Sequence, residues 1–232
     1  MKTCLVLLIL IGSLPLAAQA IENETVDGIE IVPRDHDFGH VGIDYRLACD
    51  FLIISHRPDT INISELVPDC DCTRVWTTDS TLTPGDTILI KSTFSTKDYY
   101  GPTGRPFSIY FAEPKTPVLV LWQRAIVGQW NYGLKPDPIS LFFLPGQKSR
   151  NVVVRNQDHE SIRVSFRQQV DTLFDVTFLG DEASKGEQVE IEVVVRPDLK
   201  AGTYHTNFSL EVSVEGGARP AILTVPVKIV RY

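Results

Sequence analysis

Methionine, basic charge and long apolar runs are all in short supply in this sequence, and each shortage excludes something. The only methionine is Met1, so no thioether is available to a soft-metal site in the body of the chain. Lysine and arginine number 22 against 29 aspartates and glutamates, a net charge of −7, and no basic cluster breaks that average along the chain. Such a surface repels phosphate backbones and anionic lipid, so nucleic acid is not expected as a partner. The motifs G-x-S-x-G, H-E-x-x-H, G-x-x-x-x-G-K-[ST] and G-x-G-x-x-G are absent, which removes the usual marks of hydrolases, zincins, P-loop enzymes and dinucleotide-binding enzymes. No catalytic residue and no cofactor is therefore expected, and the chain reads as non-enzymatic.

The one unbroken apolar run, Leu5 to Ile11, is well short of the roughly 20 residues of a membrane span. Preceded by Lys2 and followed by Ala18-Gln19-Ala20, it has the layout of a secretory signal peptide over residues 1–20, cleaved after Ala20. Cys4 precedes the apolar run and leaves with it, so no lipid anchor is expected. The mature protein is read as exported and soluble, with no span after cleavage.

What remains is dominated by a period of two. In "YHTNFSLEV", Tyr204, Thr206, Phe208, Leu210 and Val212 share one face, with His205, Asn207, Ser209 and Glu211 on the other. "QVEIEVVV" directs Val189, Ile191, Val193 and Val195 inward in the same way, and "LTVPVKIV" alternates again, with Pro226 outward, as on an edge strand. Turn signals separate short strands throughout, and no segment has a helical period. The fold class is all-β.

An internal repeat divides the chain. "PGDTILIKSTFSTKDYYGPTGRPFSIYF" aligns without a gap on "KGEQVEIEVVVRPDLKAGTYHTNFSLEV" at an offset of 101 residues, matching Gly85 to Gly186, Gly101 to Gly202 and Phe107 to Phe208. That spacing is one sandwich domain, so two tandem immunoglobulin-like β-sandwiches are predicted over residues 21–128 and 129–232, joined through "GQWNYGLKPDP" at 128–138.

Four segments of the first half occur in a fixed order: "HDFGHV" at 36–41, "FLIISHR" at 51–57, "PDCDCT" at 68–73 and "LTPGDTILIKSTF" at 82–94. Together they resemble a bacterial exported domain-of-unknown-function family of immunoglobulin-like modules, related to the Hydin and ASH-type domains. Its pattern is a D-F-G-x-V start, an F-x-I-x-N strand, a C-G-C-T motif and a P-G-[DE] turn. Asp71 stands where that pattern has glycine, and His56 where it has asparagine. The second half matches only the G-T-Y strand entry of bacterial immunoglobulin-like modules, at "AGTYHTNFSLEV". The resemblance implies a fold and an export route and assigns no reaction. Within the motif, Asp37, Phe38 and Gly39 are read as fold residues, Phe38 as a core anchor and Gly39 as a bulge or a close backbone approach. Tyr204 is read as core packing, with a tyrosine-corner hydrogen bond as the alternative.

Three cysteines survive processing, Cys49, Cys70 and Cys72, so at least one is unpaired within the chain. All three are disulfide candidates. Extended Cα atoms two residues apart sit near 6.5 to 7 Å, at the long end of disulfide geometry, so a Cys70–Cys72 bond needs a tight turn and a bond from Cys49 is the easier one. The same three sulfurs could instead hold Cu(I), and Cys70 with Cys72 could exchange disulfides. His36 and His40 would lie about 13 Å apart on an extended strand, too far to share an ion, and are read as surface or edge histidines. The function expected is a non-catalytic interaction or scaffolding protein of the bacterial envelope, in the periplasm or at the cell surface, with an unidentified protein or other envelope component as partner. A periplasmic thiol protein using Cys70 and Cys72 is the alternative.

Overall fold

The computed structural model describes residues 23–130, 133–217 and 219–232; the expected signal peptide lies outside them. Among the described residues there is no α-helix, and none long and apolar enough to cross a membrane. The chain is all-β.

The first sandwich packs two sheets face to face. One runs β1 (Glu24–Val26), β2 (Ile29–Val32), β4 (Arg46–Ser55), β8 (Thr87–Ser95) and β6 (Thr73–Thr77). Opposite lie β3 (Asp35–Val41), β10 (Leu119–Val127), β9 (Gly101–Phe111), β5 (Ile61–Pro68) and β7 (Thr81–Leu82). The entering chain thus serves both sheets, with β2 antiparallel to β4 and β3 parallel to the last strand, β10. This is the immunoglobulin-like arrangement of two sheets with Greek-key connections. Strict alternation makes the core: on β4, Leu47, Cys49, Phe51 and Ile53 are all fully buried and meet Phe38, Phe94 and Phe107 from the neighbouring strands and the facing sheet.

The second sandwich repeats the plan. β11 (Pro136–Asp137), β13 (Ser149–Arg155), β17 (Gln188–Val195) and β15 (Phe174–Phe178) face β12 (Leu141–Phe143), β19 (Ala221–Arg231), β18 (Gly202–Val214), β14 (Ser161–Gln169) and β16 (Glu182–Ser184). The repeat holds at the level of pairing. Thr73 pairs with Phe94 as Phe174 does with Val195, and Ile61 with Leu82 as Ile162 does with Ala183, each at the 101-residue offset. A separate hydrophobic cluster forms here around Phe143, Phe174, Phe208 and Ile191. The Pro- and Gly-rich stretch after β10 is partly built into this half: Leu134 is buried in its core and Pro136 already pairs with β13.

The halves share one sheet. β3 runs parallel to β19, with Leu223 opposite His40, so ten strands form a continuous surface across the joint. Two sequence expectations fail here for one reason. β19 is no edge strand, because it has β18 on one side and both β12 and β3 on the other. Pro226, which has no N–H to donate, sits between the stretch paired to β12 and the residue paired to β3. Asn207 and Ser209, assigned by alternation to the outward face, are also buried. Their face of β18 looks at the joint rather than at water.

Candidate site at the joint between the sandwiches

Gly39 is where the joint closes. Its φ of +61° suits glycine, and an added Cβ would overlap the Ile222 backbone, coming within 2.7 Å of that carbonyl carbon. The pairing of β3 with β10 slips by one residue at this point, as a bulge requires. Asp37 accepts the Gly39 N–H at 2.7 Å, and the Phe38 side chain is fully buried in the first core. The bulge re-aims the strand so that Phe38 faces its own core while the backbone of Gly39 lies against the second half.

Polar bonds cross the same boundary. The Ala48 N–H donates to Asn207 Oδ1 at 2.6 Å, Thr224 Oγ1 donates to the Phe38 carbonyl at 2.5 Å, and Ser140 Oγ donates to Tyr45 Oη at 3.0 Å. His40 Nδ1 lies 2.8 Å from the Gln129 carbonyl. His36, read as a surface or edge histidine, is instead buried, with its ring 4.3 Å from that of Phe38 and 6.3 Å from that of Phe51. Burial first, and the Arg167 charge second, push its pKa down to about 3, so it is a neutral core residue at physiological pH.

The cysteines separate. Cys70, Asp71, Cys72 and Thr73 form a tight turn between β5 and β6, closed by the Thr73 N–H donating to the Cys70 carbonyl at 3.1 Å. The turn draws the two Cα atoms to 5.2 Å and places the sulfurs in bonded contact. The easier pairing through Cys49 is not formed. Cys49 points into the core from β4, its thiol donates to Gln123 Oε1 at 3.5 Å, and burial with the nearby Asp50 charge raises its pKa. A three-sulfur copper site is therefore not assembled, and among the described residues no three His, Cys, Asp or Glu side chains converge as a metal site would require.

Between the halves lies a cleft of about 470 Å³, a size usual for ligand sites. Arg46 and Lys97 line it from the first sandwich, and His205, Lys228 and Phe142 from the second. Among the described residues none of Arg46, Lys97 and Lys228 is ion-paired with a carboxylate. Lys228 and Arg46 both act on His205, whose pKa is lowered first by burial and then by these two charges. Among the described residues, Asp44 is the one acidic side chain in the wall. Lys228 Nζ sits 5.2 Å from the centroid of the half-exposed Phe142 ring. Arg46, Ser95 and Lys97 are shared with a second hollow of about 370 Å³ that continues the cleft past Arg74 and Tyr99 to Cys72. No linear motif announced this groove. Its cations are scattered from position 46 to 228, and only the fold gathers them.

Residues 29–124, the body of the first sandwich, match the family model described as Protein of unknown function (DUF1573). A search of curated proteins finds no match. Among solved structures, a protein of unknown function from Porphyromonas gingivalis W83 is similar at 10% identity and TM-score 0.33, over 87% of this chain and 99% of that one. The periplasmic chaperone SfaE is similar at 8% identity and TM-score 0.33, over 88% and 100%. The VesB protease of Vibrio cholerae gives 12% identity and TM-score 0.34 over 44% of this chain, which spans about a third (32%) of VesB.

Proposed function

We propose that this protein is an exported, non-catalytic interaction module of the bacterial envelope, built of domains at 21–128 and 129–232, and that it binds an extended acidic segment of a partner protein in the groove between them. The observation that carries this reading is the gathering of Arg46, Lys97 and Lys228, none with a carboxylate partner among the described residues, around one groove of a chain whose net charge is −7. Unpaired cations on low-dielectric walls focus a positive potential and draw an anionic ligand. Phe142 and the stems of the long cations give an extended peptide apolar surface beside the charge. A hydroxyl is at hand in Ser140, but it is bonded to Tyr45 rather than to a base, which favours binding over nucleophilic chemistry. Four hydrogen bonds and a shared sheet across the joint hold the two walls at fixed separation, so the groove is pre-organised.

The test is photo-crosslinking in the native envelope, with a photoreactive amino acid replacing Phe142. The reading expects a reproducible protein adduct that is lost when Arg46→Glu and Lys97→Glu are added. No reproducible adduct, or one indifferent to the charge reversals, would sink it.

A further inference from the structure

The turn that joins Cys70 to Cys72 does little for the fold. It closes a loop of only three residues, at the short end where the loop-entropy model assigns a disulfide least stabilisation, and both cysteines are partly exposed, with Cys72 packed against the first core. Its surroundings are more specific than a structural staple needs. The Tyr99 hydroxyl donates to Cys72 Sγ at 3.3 Å. Arg105 Nε–H in turn donates to the Tyr99 oxygen at 3.1 Å, and the Arg105 guanidinium lies 4.6 Å from the Tyr99 ring centroid. A cation behind the phenol makes it a stronger donor toward the sulfur. Arg46, Arg74 and Lys97 line the same hollow as Cys72, with Asp71 and Asp98 opposing them. The two sulfurs are not equivalent. Thr73 Oγ1 lies 3.8 Å from Cys70 Sγ and 3.9 Å from Cys72 Sγ, whereas the Tyr99–Arg105 pair addresses Cys72 alone.

Thiol–disulfide exchange breaks the bond so that one sulfur leaves as a thiolate, and the sulfur better stabilised as an anion leaves faster. We propose that Cys70–Cys72 is an exchangeable disulfide that accepts two electrons from a dithiol protein, with Cys70 the sulfur attacked and Cys72 the leaving thiolate. A thiolate of the donor forms a bond to Cys70 Sγ, and the Cys70–Cys72 bond breaks with its electron pair on Cys72, held there by the Tyr99 hydroxyl. The donor's second thiol, losing its proton to solvent, then attacks the mixed disulfide and releases Cys70. The donor leaves as a disulfide, and both cysteines here are reduced. The exchange is stoichiometric and does not depend on the acidic-segment reading, since it rests on Tyr99 and Arg105 rather than on the occupant of the groove.

The test uses the full mature chain with dithiothreitol as the dithiol probe. Alkylation and intact mass before reduction should show one free thiol, that of Cys49 once unfolded, and three after it. Reduction of Tyr99→Phe should be slower by at least about tenfold, the loss of one hydrogen bond to a charged sulfur. In folded variants that keep one of the two turn cysteines, with Cys49 buried, the thiol of Cys72 in Cys70→Ser should alkylate with a midpoint at least about one pH unit below that of Cys70 in Cys72→Ser. Equal or reversed midpoints, an unchanged rate in Tyr99→Phe, or three free thiols before reduction would overturn the proposal. Should Tyr99→Phe fail to fold, Arg105→Gln, which leaves the ring in place against Phe94, is expected to slow reduction in the same direction, and an unchanged rate there overturns it equally.

Discussion

Thr224 Oγ1 donates to the carbonyl of Phe38 at 2.5 Å, joining the last strand of the second sandwich to the first sheet-crossing strand of the other. Thr224 also pairs with Ser209 Oγ at 2.7 Å, so a buried relay of two hydroxyls ends on the backbone of the D-F-G motif. The motif is thus a fastening point as well as a core anchor. Phe38 fills one core with its ring and receives the neighbouring half with its carbonyl.

Thr224→Val removes that relay while keeping the shape of the side chain. It should cost about 1 to 3 kcal/mol, since the Phe38 carbonyl and Ser209 hydroxyl stay buried without their partner. Urea denaturation measures it. A change within a few tenths of a kcal/mol would mean water takes the place of the hydroxyl.

Gly39→Ala and Gly85→Ala separate two costs. Both glycines have positive φ, +61° and +86°, but a Cβ at Gly85 meets nothing within 4 Å while one at Gly39 overlaps Ile222. Gly85→Ala should lose about 1 kcal/mol from backbone conformation alone. Gly39→Ala should lose at least about 2 kcal/mol more and loosen the joint, visible as a larger radius of gyration by small-angle scattering. Equal losses would show that β19 can move aside freely.

His36 gives the fold an acid-sensitive element. Its folded pKa of about 3 lies below the ordinary 6.5, so the unfolded chain holds more protons between those values. The stabilisation is complete above pH 6.5 and is lost as pH falls toward 3. Asp50 acts with opposite sign, because burial raises its carboxyl and it favours the folded state at low pH. His36→Gln isolates the histidine: between pH 7 and pH 4 the wild type should lose about 3 kcal/mol relative to the variant. Parallel stability curves would place the imidazole in contact with water.

Tyr204 Oη donates to the Lys200 carbonyl at 2.9 Å, four residues upstream, which is a tyrosine corner rather than the core packing alone that the sequence suggested. Tyr204→Phe should cost about 1 kcal/mol in a thermal melt. No change would return the residue to simple packing.

The periodicity of two and the 101-residue repeat carried the fold, because alternation is a local property and each strand displays its own. Val189, Ile191, Val193 and Val195 face inward as their spacing predicts. Alternation could not say that both faces of β18 are covered, so Asn207 and Ser209 were placed in water, nor that Pro226 lies inside a sheet that passes from one sandwich to the other. Those facts belong to the joint, a long-range contact with no local signature. The groove was illegible for the same reason: Arg46, Lys97, His205 and Lys228 look like scattered surface charge until the chain brings them together. The turn at Cys70–Cys72 was readable as a requirement, while the preference for it over Cys49 came from the inward pitch of β4.

The most direct test of the groove is a fluorescence anisotropy titration of a labelled Asp/Glu-rich peptide against the protein over residues 21–232 and its Arg46→Glu, Lys97→Glu variant at low and physiological salt. The account predicts saturable binding that weakens as salt screens the charges, and at least a tenfold loss of affinity in a variant whose melting temperature is unchanged. Equal affinity for both proteins, no binding at low salt, or tighter binding of a sulfated oligosaccharide than of the peptide would contradict it.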